Sequence, residues 1–81
     1  MTYTLRFPPG VIDKDVQTAI ETAGVHFVYH EAGAIITATH DQLRVLWFNL
    51  KTAAKNAEAR PDDRRAILFA MQMIKTQVEQ T

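Results

Sequence analysis

The stretch VHFVYHEAGAIITATH, residues 25–40, decides how this chain folds. It is rich in β-branched and aromatic residues and is interrupted once, at Glu31-Ala32-Gly33. That pattern predicts two strands, residues 25–30 and 34–40, joined by a tight turn. With Ala32-Gly33 as a two-residue hairpin loop, His30 faces Ile35, Tyr29 faces Ile36 and Phe27 faces Ala38. One face then carries Val25, Phe27, Tyr29, Ile36 and Ala38. The other carries His26, Val28, His30, Ile35, Thr37 and Thr39. A one-residue slip would set Phe27 against Thr37 and spoil the apolar face, which argues for this register.

The same stretch holds all three histidines, and the His26–His30 spacing raises the question of a metal site. On a strand, residues four apart share a face but stand roughly 13 Å apart along it. A metal ion binds nitrogen at about 2.1 Å, so these two histidines cannot share one. His40 falls on the opposite face, at the strand's end. No metal or cofactor is expected. The polar sheet face, with Arg6, His26, His30, Thr37 and Thr39, reads as a solvent side. A pH-sensitive or ligand-contacting role is its sharper alternative, because histidine titrates near neutrality.

Upstream, YTLRF (residues 3–7) alternates apolar Tyr3, Leu5 and Phe7 with Thr4 and Arg6, the period of a half-buried strand. Pro8-Pro9-Gly10 ends it. Val16, Ala19, Ile20 and Ala23 then fall on one helical face, with Asp13 as N-cap, Asp15 in the first turn and Gly24 as the stop. Downstream, Thr39-His40-Asp41-Gln42 reads as a capping box, with Asp41 the rival N-cap. The helix that follows stripes Leu43, Leu46, Trp47, Leu50, Ala53, Ala54 and Ala57. It is expected to end near Arg60, because Pro61 disfavours helix in the residue before it. Pro61 suits the start of a last helix, with Asp62 and Asp63 in its first turn.

The order β-α-β-β-α-α, with a right-handed crossover, predicts one α+β domain over residues 1–81. Its form is a two-layer sandwich: a three-stranded sheet in order 1-3-2 with helices on one face. That architecture resembles a ferredoxin-like split β-α-β unit without its fourth strand, a likeness that carries no function.

The 81 residues are 47% hydrophobic and 22% charged, with no cysteine. A chain this size buries only about 60–65% of its unfolded surface and is marginal but able to fold alone. The lack of cysteine excludes disulfides, thiolate nucleophiles and cysteine-based zinc sites, and fits a reducing cytoplasm. The longest apolar run, AILFAM (residues 66–71), falls far short of the roughly 18 residues a membrane span needs. A soluble cytoplasmic protein without a membrane partner is expected. Net charge is zero but uneven: residues 1–43 hold two cations against five anions, and residues 44–81 hold seven against four.

An enzyme is not expected. No hydroxyl nucleophile stands beside a histidine and a carboxylate at a recognisable spacing, and three glycines make no phosphate loop. The acidic pairs Asp13/Asp15 and Asp62/Asp63 are accounted for by helix starts. The informative feature is an apolar surplus. Beyond the core stripe, Val45 and Phe48 lie on the far side of the second helix. Phe69 and Met73 lie about 140° round from the stripe of Ile67, Met71, Ile74 and Val78 on the last. Either these four pack together inside the helical hairpin, or they stay open and bind a partner, most simply a second copy. The expected function is therefore a non-enzymatic protein-interaction module, regulatory or accessory, that forms a homodimer through its C-terminal helices. The alternative is a nucleic-acid-binding regulator using Arg44, Lys51, Lys55, Arg60, Arg64 and Arg65, against which the neutral overall charge counts.

Overall fold

The computed structural model describes residues 2–30 and 33–79, with only the backbone of residue 30. The elements follow in the order β1 (Thr2–Phe7), α1 (Lys14–Thr22), β2 (His26–His30), β3 (Gly33–Thr39), α2 (His40–Asn56) and α3 (Pro61–Glu79). The sheet is antiparallel with order β1-β3-β2. The α+β class, the strand order and the helices on one face are as the periodicities predict.

The helix starts follow their local chemistry. The Asp13 side chain accepts a hydrogen bond from the Val16 N–H at 2.9 Å and caps α1. Thr39 and Gln42 form the full capping box of α2, so Asp41 sits in its first turn instead. The end of α2 differs from expectation. The helix stops at Asn56, and Ala57, Glu58 and Ala59 form a turn closed by the Arg60 N–H on the Ala57 carbonyl at 2.9 Å. The chain must reverse before Pro61, and those residues are consumed in doing so.

The hairpin register also differs. Phe27 pairs with Ile36, Tyr29 with Ala34 and His30 with Gly33, a shift of two residues from the expected pairing. Ala32, half of the expected two-residue loop, lies outside the described residues. Gly33 is not a turn residue but the first residue of β3. The shift is even, so every side chain keeps its face. Gly33 is also fitted closely to β1. Gly33 has φ of +131°, and a Cβ there would overlap the carbonyl oxygen of Phe7 and stand 3.0 Å from its carbonyl carbon. The close approach of β1 needs a glycine at that point of the sheet.

Leu5, Phe7, Ala34, Ile36 and Ala38 of the sheet's inner face meet Val16 and Ile20 of α1, Leu46 and Leu50 of α2, and Ile67, Ala70 and Ile74 of α3. Among the described residues no polar side chain is buried with them. Three contacts lay α1 antiparallel alongside α2. Arg60 pairs with Asp15, Asn49 Nδ2 donates to the Ala19 carbonyl at 3.3 Å, and Gln42 Nε2 donates to the Gly24 carbonyl at 3.4 Å. On the other flank of α2, Leu43 and Trp47 line a groove with Ile74 and Val78 of α3.

Candidate protein-interaction surfaces

A helix turns 100° per residue, so the neighbour at each angle decides which apolar side chains are covered. On α2 the flank toward α3 is filled by Trp47, which is half-buried. Phe48, one residue on, points away and remains 68% exposed, with Val45 at 48%. Phe48 borders a cleft of about 380 Å³ shared with Asp15, Thr18 and Thr22 of α1. On α3 Phe69 is 53% exposed and lines a depression with Gly10 and Val11 from the β1–α1 connection. Met73, on the same side of α3, is half-buried against the core.

The two pairs therefore lie on different flanks and do not pack together inside the hairpin. The internal-packing alternative is overturned, because Trp47 occupies the angle that faces α3. Leu68, 43% exposed, adds to the open apolar surface of α3 beyond the residues expected there. Its sequence signal is its place at i+4 from Arg64, on a face with no core partner.

The basic residues divide. Arg60 is neutralised, with its guanidinium 2.8 Å from Asp63 and 3.4 Å from Asp15. Arg44, Lys51 and Lys55 are exposed and form one stripe at i, i+7 and i+11 along α2. Arg64 and Arg65 are exposed at the start of α3. Sequence reading missed Lys75, which joins Arg44 and His40 around the Trp47 groove, a space of about 460 Å³.

Among the described residues, Asp13, Asp15 and Asp63 are the one group of three potential metal-ligating side chains drawn together. Its chemistry is already accounted for. Asp13 caps α1, and Arg60 bridges the other two. The histidines stand apart. His26 is exposed opposite Thr37, while His40 is the first residue of α2, its ring centroid 6.5 Å from that of Tyr3. The side chain of His30 lies outside the described residues. Arg6, Thr37 and Thr39 share the open sheet face with His26, Val28 and Ile35, and the pairings Thr4–Thr37–His26 and Arg6–Ile35–Val28 run across it as rows.

The two edges of the sheet are treated differently. Gln77 of α3 accepts a hydrogen bond from the Arg6 N–H and donates one to the Arg6 carbonyl, both at 2.8 Å. It occupies the outer edge of β1 as a neighbouring strand would. No sequence signal marks a helical glutamine for this role. On β2, Tyr29 is 61% exposed and Val28 44%. Among the described residues no helix is long and apolar enough to cross a membrane.

Compared with known protein families, curated proteins and solved structures, the chain matches none.

Proposed function

We propose that this chain is a protein-interaction module of the cytoplasm, a regulatory or accessory factor that acts by binding rather than by chemistry. Its C-terminal helices α2 and α3 present the docking surface to another protein. The observation that supports this reading is the exposure of Val45, Phe48 and Phe69 on a domain whose core is otherwise closed. Burying one such phenylalanine is worth about 2–3 kcal/mol, so leaving several open has a cost in solubility that a binding role offsets. The residues fall on two flanks, Val45 and Phe48 on α2 and Phe69 on α3, and the simplest partner for this surface is a second copy of the chain. The α2 flank with Val45 and Phe48 is the larger exposure and the primary docking surface. The test compares partners retained by the native chain and by Phe48→Asp at matched folding, judged by circular dichroism. A protein held by the native chain and lost from the variant supports the reading. Equal retention by both overturns it.

A second reading has its own observation. Arg44, Lys51 and Lys55 share one face of α2, with Phe48 between the first two, and Lys75 stands beside Arg44 across the hairpin. This surface would take nucleic acid through phosphate contacts, with binding that falls steeply as salt rises. A mobility-shift titration at low salt with no shift removes it. Arg60 would join it by exchanging Asp15 and Asp63 for phosphate, whereas Arg64 and Arg65 are exposed at the start of α3.

A further inference from the structure

We propose that a second copy of this chain pairs with β2 along its free edge, joining two sheets into one of six strands. The inference is independent of the helix flanks and rests on three observations.

The first is which backbone groups are free. Arg6 turns its N–H and carbonyl outward to Gln77, so the pair Arg6–Ile35 is not hydrogen-bonded. Antiparallel ladders alternate. Ile35 therefore turns its groups toward β2, and Val28, opposite Ile35, turns its own back toward β3. That leaves the N–H and carbonyl groups of Phe27 and Tyr29 facing outward. Among the described residues no side chain does for them what Gln77 does for β1.

The second is the strand's own sequence. His26-Phe27-Val28-Tyr29-His30 reads nearly the same in both directions about Val28. A two-fold axis at Val28 places Phe27 of each copy opposite Tyr29 of the other, and residue 26 opposite residue 30. All five positions pair. The outward groups of Phe27 and Tyr29 then make four interchain N–H···O bonds, because each hydrogen-bonded pair exchanges two.

The third is what the pairing would cover. The rings of Phe27 and Tyr29 lie 6.1 Å apart on the sheet's helix side, and Tyr29 is largely open. The second copy brings the same pair alongside, making a cluster of four rings. Val28 meets Val28 on the opposite face. The strand carries no lysine, proline or acidic residue, the features by which sheet edges are kept from pairing.

The experiment is light scattering over a concentration series on the native chain, Val28→Lys and Phe48→Asp. Val28 lies on the open face outside the core, so Lys is accommodated in the monomer and sets two like charges opposite each other at the axis. The native chain and Phe48→Asp should reach twice the 9.2 kDa monomer mass, and Val28→Lys should stay at 9.2 kDa. Mixing Val28→Lys with Val28→Glu should restore the double mass. A Val28→Cys variant gives a readout that survives weak association. The native chain has no cysteine, and the non-hydrogen-bonded pair at the axis brings the two Cα atoms to about 4.5 Å, within disulfide range. With oxidised glutathione as oxidant, Val28→Cys should cross-link to a dimer, while Phe48→Cys should not. A native monomer, together with a Val28→Cys variant that fails to cross-link, overturns the pairing and leaves the docking role of the helices standing. A dimer lost in Phe48→Asp but kept in Val28→Lys also overturns it, and moves self-association to the helices.

Discussion

Replacing Gly33 by alanine tests the fit of β1 against the start of β3. The residue has φ of +131°, which side chains rarely adopt, and its added Cβ would meet the Phe7 carbonyl of the neighbouring strand. The backbone strain alone is about 1–3 kcal/mol. The overlap is with backbone rather than a flexible side-chain end, so relief requires the end of β1 to move and lose part of its ladder. Together these point to a loss of about 3 kcal/mol or more, in the upper range for single substitutions. A domain of this length has about 4–12 kcal/mol to lose, so the variant should still fold. Gly10→Ala is the control. Its φ is +85°, but nothing lies within 4 Å of the added Cβ, so it carries strain of about 1–2 kcal/mol and no overlap. Urea unfolding of the native chain and both variants, followed by circular dichroism, gives the comparison through the midpoints at constant slope. Equal losses in Gly33→Ala and Gly10→Ala would falsify the close approach of Phe7 to Gly33, and with it the fit of β1 against the start of β3.

Three further substitutions bear on the elements around the site. Thr39→Ala removes one half of the capping box of α2 and should cost about 1 kcal/mol in urea unfolding, whereas Asp41→Ala, a first-turn residue, should cost less than half of that. Ile36→Ala, fully buried on the central strand, should cost about 2–5 kcal/mol; a loss below about 1 kcal/mol would mean that its side chain does not reach the core. Arg60→Ala breaks two exposed ion pairs and should cost under about 1 kcal/mol, with the difference shrinking as salt is raised from low to high concentration.

The elements and their faces were legible because each is written in its own period. Leu5 and Phe7, Val16 and Ile20, and Leu43, Leu46 and Leu50 all lie where alternation or helical spacing puts them. The register was not legible, for a definite reason. A slip of two residues leaves Phe27 and Ile36 on the same face, so apolar patterning cannot register it. Gly33 acquires its constraint only once β1 lies beside β3. The exposure of Phe48 was half legible. The wheel gives its angle, but not that Trp47 would take the side toward α3. Counting charges likewise could not reveal that Arg60 is held by Asp15, 45 positions away in sequence.

The clasp of Gln77 on Arg6 joins positions 71 residues apart and divides the dynamics of β1 between two structures. The inward amides of that strand are held by β3, and they should exchange with solvent hydrogen only when the sheet opens. The Arg6 amide is held by a side chain on the last full turn of α3, and helix ends open at small free-energy cost. Its exchange should therefore follow the fraying of the helix rather than the unfolding of the sheet. The Arg6 amide and the inward amides of the strand would then report two separate opening events, one at the end of a helix and one across the whole sheet.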